Sequence, residues 1–180
     1  MKVFAEKGFH ESRVGDIAEE AGIAYGLVYH YFDSKEALLE TIFRTTWTEM
    51  LARVEEVEAA GVPASEAVRQ VTALLLRTWR RDPDLVRVLV REVTRNQHVQ
   101  QELQEITAAM QALERIVRRG QETGEFRDAV DPRLAAVVFY GALEEVLSSW
   151  VLGQLPDRDA DIARAEQNVV ALLTGGLRAS

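Results

Sequence analysis

A small residue and a glycine four positions apart, Ala18 and Gly22, constrain the fold of this chain more than any other feature of its sequence. Two short helices that cross at a steep angle need a small side chain where their backbones approach, and Ala18 supplies it. The turn between the helices needs a residue that tolerates a positive φ, and Gly22 meets that need. The pattern therefore predicts a helix-turn-helix, with its first helix over residues 14–21 and its second over residues 25–32.

Apolar side chains should hold these two helices together, and capping residues should start them. Ser12 is predicted to cap the first helix by accepting a backbone N–H. Ser34, or Asp33 together with Glu36, is predicted to cap the helix that follows the pair. The inward-facing positions are predicted to be Ile17, Ala21, Ile23, Val28 and Tyr31.

The rest of the chain carries helical signals and almost no strand signals, because its apolar residues recur at helical spacing and alternating runs are missing. Asp82-Pro83 and Asp131-Pro132 fit helix starts with an acidic cap and a first-turn proline. We predict an all-α fold, with a three-helix module at residues 1–45 and a C-terminal helical bundle at residues 46–180. Long helices are predicted at residues 35–60, 64–81, 83–95, 99–123, 132–153 and 159–177.

Net charge argues at first sight against nucleic-acid binding. The chain carries a formal charge of −8, and residues 1–45 hold five Lys and Arg against eight Asp and Glu. DNA affinity comes largely from positive charge near phosphates. A DNA-binding protein of this composition must therefore place a few hydrogen-bond donors at the DNA surface and keep its acidic side chains away from it. We expect its non-specific binding to DNA to be weak.

The predicted second helix presents small and polar residues outward, which makes them candidate contacts to DNA. Gly26 inside a helix costs roughly 1 kcal/mol relative to alanine, which close approach of the backbone to DNA would offset. Tyr29 and His30 can donate to phosphate oxygens without adding fixed charge, and Lys35 adds a charge just beyond. Two packed helices of an ordinary bundle would show the same small-residue turn, and this alternative stays open at this point.

The sequence around the turn closely resembles the signature of the TetR family of transcriptional regulators. Three stretches carry the resemblance: Phe-Ala-Glu-Lys-Gly-Phe at 4–9, Ile-Ala-Glu-Glu-Ala-Gly-Ile at 17–23, and Leu-Val-Tyr-His-Tyr-Phe-Asp-Ser-Lys-Glu-Ala-Leu-Leu at 27–39. The resemblance implies an all-helical dimer whose N-terminal module binds a palindromic operator. It also implies a C-terminal domain that binds a small molecule, which releases the DNA. Carried over by position, the implied DNA contacts are Ser12, Arg13, Ala24, Tyr25, Gly26, Tyr29, His30 and Lys35.

The beginning of the sequence departs from that family pattern. The family's first helix normally begins well before the Phe-Ala-Glu-Lys-Gly segment, whereas this sequence has only Met1, Lys2 and Val3 there. A shortened first helix would weaken the core of the module and remove N-terminal groups that donate hydrogen bonds to DNA phosphates.

Neither a signal-peptide core nor a long apolar run is apparent in the sequence, so we expect a cytoplasmic protein.

Two predicted helices near the C-terminus have the composition of a self-association surface. A symmetric operator calls for a symmetric protein, so we predict a homodimer formed through these helices as a four-helix interface. Plain core is the alternative for each stripe taken singly. The apolar stripes comprise Leu134, Val138, Leu143, Val146, Trp150 and Val151 on the first helix, and Ile162, Ala165, Val169, Leu172, Leu173 and Leu177 on the second.

The remaining helices are predicted to enclose a pocket for a small hydrophobic ligand. Arg87, Arg91 and Arg95 recur every four residues and share one helical face. They are either a solvated face or an anion site at the mouth of the pocket, suited to a long acyl chain with a phosphate-bearing head. The predicted ligand contacts are Trp79, Arg87, Arg91, Val93, Phe139, Tyr140 and Leu143. Residues 141–153 also resemble the acyl-CoA-responsive, fatty-acid-degradation branch of the family, which implies a long-chain acyl-CoA as effector.

Other classes of function leave weaker traces in the sequence. The absence of cysteine excludes disulfides and thiolate metal sites. No Glu-x-x-His pair, His-Glu-x-x-His motif or Gly-rich phosphate loop occurs, so we expect neither catalysis nor a metal or cofactor. Two alternatives remain: a regulator of the same type that responds to another hydrophobic ligand or drug, and a helical protein–protein interaction module without DNA binding.

Overall fold

The computed structural model describes residues 1–93 and 104–178, except for the side chains of residues 92 and 93. No strand forms within those ranges, where a single isolated bridge joins Phe126 to Arg178. The predicted all-α fold is thus confirmed. The described helices are α1 (Lys2–Lys7), α2 (Val14–Ala21), α3 (Tyr25–Tyr31), α4 (Lys35–Ala59), α5 (Ala64–Arg81), α6 (Pro83–Val93), α7 (Gln104–Glu122), α8 (Pro132–Val151) and α9 (Asp159–Leu177).

Acidic and hydroxyl caps start the long helices where the sequence places them. The Asp82 carboxylate accepts the Leu85 N–H at 2.9 Å, and the Asp131 carboxylate accepts the Leu134 N–H at 2.7 Å. Ser34 Oγ accepts the N–H of Ala37 at 3.0 Å, which confirms the predicted cap of α4. Each cap satisfies an N–H that the first helical turn leaves without a partner.

The predicted Ser12 cap of α2 is wrong. Arg13 occupies the N-cap position, and its backbone N–H donates to the Asp16 carboxylate at 3.1 Å. The Ser12 hydroxyl instead donates to the carbonyl oxygen of Gly8 at 2.6 Å. Ser12 therefore holds the segment between α1 and α2 together and does not start the helix.

The N-terminus of α5 is capped from a distant part of the chain. The Glu125 carboxylate accepts the backbone N–H groups of Ala64 at 2.6 Å and Ser65 at 2.9 Å, and it also accepts the Ser65 hydroxyl. Burial alone would raise the pKa of Glu125, but the Ser65 hydroxyl and the two N–H groups hold it below its usual range. A carboxylate also suits the positive end of the helix dipole.

Two hydrophobic clusters organise the described residues. The smaller joins α1, α2, α3 and the first half of α4 around Phe4, Val28 and the fully buried Phe43. The larger lies among α4, α5, α7, α8 and α9, with α5 packed against all four of the others.

Helix α6 contributes to both clusters, because Val86 packs in the larger one and Val88 in the smaller one. It also packs against α1 of the N-terminal module. The Arg91 guanidinium donates to the carbonyl oxygen of Ala5 at 3.1 Å. A movement of α6 would therefore displace α1, which packs against α2 of the helix-turn-helix.

Candidate nucleic-acid interface and ligand cavity

The turn between α2 and α3 has the geometry that the Ala18–Gly22 spacing predicts. Gly22 adopts the left-handed conformation with φ of 66°. Its N–H donates to the Glu19 carbonyl at 3.0 Å, and the Ile23 N–H donates to the Ala18 carbonyl at 3.0 Å. Ala18 is buried in the smaller cluster, so α2 and α3 meet closely at this point.

Helix α3 exposes an aromatic surface that contains no carboxylate. Tyr25 is 57% exposed and Tyr29 46%, with their ring centroids 5.3 Å apart in an edge-on arrangement. A hydrogen bond with Tyr25 raises the pKa of the Tyr29 hydroxyl above its ordinary value. No Asp or Glu occurs from Gly22 to Phe32, although the chain carries −8 overall.

Three of the five side chains that were predicted to face inward are exposed. Val28 is buried and Ile17 packs against the smaller cluster, as predicted. Ala21 is exposed, Ile23 is 41% exposed and Tyr31 is 70% exposed. A helix as short as α3 presents only about two turns, and Val28 alone of its residues reaches the core.

Gly26 lies on exposed α3 without a packing reason inside the described structure. A Cβ built at this position would have no described heavy atom within 4 Å. Ala24, the N-cap residue of α3, and His30 are also exposed. The predicted contacts Ala24, Tyr25, Gly26, Tyr29 and His30 therefore share an accessible helix and its N-terminal cap.

Most cations of the N-terminal module already have partners within the protein. Lys2 pairs with Glu20 at 2.9 Å, and Lys7 pairs with Asp16 at 3.0 Å. Arg13 is exposed, and no described carboxylate lies within ion-pair distance of its guanidinium. Of the two cations among the predicted DNA contacts, Arg13 is thus the accessible one.

Lys35 and Ser12 depart from the placement that a DNA contact requires. The Lys35 ammonium donates to the carbonyl oxygens of Phe9 at 2.6 Å, Ser12 at 2.9 Å and His10 at 3.3 Å. It also lies 4.4 Å from the centre of the Phe9 ring. Ser12 is 3% exposed and its hydroxyl donates inward. Both side chains fix the connection between α1 and α2 in this structure.

A narrow apolar cavity of about 80 Å³ lies where α4, α5, α6 and α8 meet. Of the predicted ligand contacts, Tyr140 and Leu143 line it. Burial, with a smaller contribution from Glu144, raises the pKa of the Tyr140 hydroxyl. The described lining residues are Thr46, Trp47, Met50, Leu75, Thr78, Val86, Leu89, Val90, Tyr140, Leu143, Glu144 and Leu147.

The other predicted ligand contacts lie elsewhere. Trp79 is buried and stacks on Trp150, with ring centroids 6.2 Å apart. The Arg87 guanidinium covers Trp79 at 5.2 Å and pairs with Asp84 at 2.8 Å, and Phe139 is buried in the larger cluster. Local spacing put these residues on suitable helices but could not show which face meets the cavity. Arg91 bonds to α1 instead, while the side chain of Val93 and all of Arg95 lie outside the described residues.

Glu144 is the lining residue that sequence reasoning most clearly missed. Burial, with a smaller contribution from Glu145, raises the pKa of its carboxyl. A carboxylate between Leu143 and Leu147 on a mainly apolar helix is the signal that could have identified it, because an acidic group that is partly shielded from water is a candidate for a functional site.

Helices α8 and α9 expose apolar side chains that no described residue covers. Leu134 is 60% exposed and Leu172 77%, and a shallow hollow between them is lined by residues of both helices. The exposed Gly141 and Gly176 leave room for close approach of a second surface.

Among the described helices, α8 alone has the length and mean hydropathy (1.4) of a membrane span. A single helix of this kind is weak evidence for a membrane, and α8 also packs on α5, α6 and α7.

Comparison with known families assigns the class of protein. The family "Bacterial regulatory proteins, tetR family" matches residues 1–42, and the family "Tetracyclin repressor-like, C-terminal domain" matches residues 65–172. The chain belongs to the TetR family and is a DNA-binding transcriptional regulator.

Individual relatives place it near regulators of fatty acid metabolism. The fatty acid metabolism regulator protein of Bacillus subtilis (strain 168) is 30% identical over 179 residues, which cover 98% of this chain and 91% of the relative. The crystal structure of FadR from Bacillus subtilis in complex with stearoyl-CoA matches with a TM-score of 0.83 and 27% identity, covering 98% of this chain and 95% of that one. The structure of the fatty acid degradation regulator FadR from Bacillus halodurans matches with a TM-score of 0.84 and 26% identity, covering 99% and 92%.

Proposed function

We propose that this regulator is a homodimeric repressor that a long-chain acyl-CoA releases from a palindromic operator. The proposal depends on one observation: two helices that line the cavity also pack in the N-terminal module. Helices α4 and α6 line the cavity, and their residues Phe43 and Val88 lie in the cluster that supports the helix-turn-helix. The stearoyl-CoA complex of the Bacillus subtilis FadR supports the choice of ligand class.

The proposed DNA contacts are the accessible groups of α3 and its surroundings: Arg13, Ala24, Tyr25, Gly26, Tyr29 and His30. The hydroxyls and the imidazole donate to phosphates, and the space at Gly26 admits the DNA backbone. We propose that Lys35 and Ser12 support these contacts by fixing the α1–α2 connection. In the dimer, the two α3 helices then lie roughly 34–36 Å apart, one turn of DNA.

We propose that the second copy of the chain covers the exposed face of α8 and α9. Leu134, Val138 and Leu172 would otherwise stay in water. The shallow hollow between these helices can accept apolar side chains of the partner. We also keep the division at residues 45 and 46 as a proposal; it falls inside the continuous helix α4.

Binding of a long acyl chain requires the cavity to widen. A cavity of about 150 Å³ holds a benzene ring, whereas this one measures about 80 Å³. The effector therefore binds better to a state in which α4, α5, α6 and α8 lie farther apart. It shifts the population toward that state to the extent that its affinities for the two states differ. A displaced α4 or α6 changes the position of the helix-turn-helix, which lowers operator affinity.

Because the relatives are transcriptional regulators, we assign no catalytic role to the chain and propose that it acts in the cytoplasm, where DNA and acyl-CoA meet. A different hydrophobic ligand remains the second candidate for the effector, since the cavity lining is mainly apolar.

The proposal is tested with the purified full chain. A random duplex library is selected for binding, and the enriched operator is labelled for fluorescence anisotropy. Stearoyl-CoA is expected to dissociate the complex, while coenzyme A alone is not. Failure to enrich a palindrome would contradict DNA recognition as proposed, and unchanged binding in stearoyl-CoA would contradict the choice of effector.

A further inference from the structure

The indole of Trp47 is a buried hydrogen-bond donor without a partner in the described structure. Trp47 lies on α4 and lines the cavity, with its ring centroid 6.4 Å from that of Tyr140. Its Nε1–H is inaccessible to solvent and has no hydrogen-bond partner among the described residues. Buried polar groups are nearly always satisfied, so this donor at the cavity wall is placed to bond an acceptor on the molecule that fills the cavity.

The remaining lining residues restrict the chemistry of that acceptor. Thr78 already donates its hydroxyl to the Leu74 carbonyl at 3.1 Å, and Thr46 and Tyr140 contribute the other hydroxyls of an otherwise mainly apolar lining. Glu144 contributes a carboxyl, and no Lys, Arg or His is present among the described lining residues. A carboxylate in the occupant would therefore meet another carboxylate without a cation to offset it. A neutral carbonyl oxygen fits, as in an ester, thioester or amide.

Trp47 also connects the cavity to the DNA-binding module. Its side chain packs against the cluster that contains Phe43 and Val28. A hydrogen bond to the occupant thus acts on a helix that helps to hold α3. A plain hydrocarbon can fill the cavity, but it leaves this N–H unsatisfied and exerts less effect on α4.

We infer that Trp47 is the residue that recognises the effector's polar group: its indole N–H donates to a neutral carbonyl oxygen, and this bond transmits occupancy to the helix-turn-helix. The inference rests on the proposed function, because it places the effector in this cavity. It makes Trp47 a specificity-determining residue as well as part of the apolar wall.

The test uses the full-length protein and two probes with the same acyl chain. One is S-dodecanoyl-N-acetylcysteamine, a neutral thioester, and the other is dodecanoate, the free acid. Trp47→Phe keeps an aromatic ring but removes the N–H. Trp150→Phe is the matched control, because the Trp150 N–H donates to the Pro156 carbonyl at 3.1 Å, away from the cavity.

Calorimetric titration should show the thioester binding to the wild-type protein and to Trp150→Phe with similar affinity. Loss of the donor in Trp47→Phe should weaken binding about tenfold, the usual order for one buried hydrogen bond. Glu144→Gln should strengthen dodecanoate binding about tenfold, because it removes an opposing charge that is partly shielded from water.

Nitrogen-15 NMR supplies a readout that packing alone would not change. The three tryptophans give three indole resonances, and Trp47→Phe identifies one of them. That resonance should move downfield with the thioester and stay near its original position with dodecane. Thioester binding that is equal in wild type and Trp47→Phe, with no indole shift, would overturn the inference and leave the proposed function standing. No binding of either acyl probe or of stearoyl-CoA to the wild type would overturn both.

Discussion

The Arg91 guanidinium donates a hydrogen bond to the carbonyl oxygen of Ala5 at 3.1 Å, across 86 positions of sequence. Arg91 lies on α6, whose Leu89 and Val90 line the cavity, whereas Ala5 lies on α1 of the DNA-binding module. This contact joins the cavity wall to the module that binds DNA.

Arg91→Met should weaken the response to effector more than it weakens effector binding. The variant keeps the apolar stem but removes the donor to α1, so we expect stearoyl-CoA to lower operator affinity by roughly fivefold less than in wild type. Operator anisotropy with and without stearoyl-CoA measures the difference. Arg87→Met is the matched control, because the Arg87 guanidinium pairs with Asp84 on the same helix. Equal responses in wild type and Arg91→Met would show that this bond does not couple the two sites.

Tyr29→Phe should lower operator affinity without lowering stability. The Tyr29 hydroxyl lies on exposed α3, so its loss removes a donor to DNA and leaves the core intact. We expect affinity to fall by about five- to tenfold, the usual effect of one hydrogen bond. Tyr140→Phe removes the same hydroxyl from the cavity wall and should keep wild-type operator affinity. Unchanged affinity in Tyr29→Phe would remove this hydroxyl from the interface.

Leu172→Glu should separate the dimer and leave the fold of each chain intact. Leu172 is 77% exposed on α9, so a carboxylate there meets water in the monomer but apolar surface in the proposed dimer. Light scattering should report a monomer, and operator affinity should fall with it. The control is Leu155→Glu, since Leu155 is exposed in the segment after α8. A Leu172→Glu dimer of wild-type strength would place the interface elsewhere.

Glu125→Gln should destabilise the protein at neutral pH, with an effect that disappears in acid. Glu125 caps α5 through Ala64 and Ser65, and its lowered pKa means that the folded state favours the ionised form. Its contribution is therefore fully present above the unfolded pKa of about 4.3. It is lost as the pH falls through the lower pKa of the folded state.

We expect a loss of about 1–2 kcal/mol in the free energy of unfolding at pH 7, measured with urea. The difference from wild type should shrink steadily below pH 4.5. Glu122→Gln, at an exposed position near the end of α7, is the control and should match wild type throughout. A loss that is the same at pH 7 and in acid would mean that the charge of Glu125 is not what stabilises α5.

Within the described residues, the boundaries of the helices followed closely from sequence, whereas the predicted helix end at residue 95 and the predicted helix start at residue 99 lie outside those residues. Helix α2 and helix α9 occupy the predicted residues, and the caps at Ser34, Asp82 and Asp131 form as expected. The turn at Gly22 also forms as predicted. Helical periodicity, caps and turn conformations depend on residues within a few positions of each other, so the linear pattern carries them.

Contacts between distant segments were decided only by the tertiary structure. Lys35 is bound to carbonyl oxygens more than twenty positions away, and Glu125 caps a helix sixty positions before it. Sequence placed Trp79 and Phe139 in the cavity, but they lie in the core, while Glu144 faces the cavity. Which side of an apolar helix meets a cavity, and which cation is already bound, depends on how helices dock, and docking is determined by the summed packing of the whole chain rather than by neighbours in sequence.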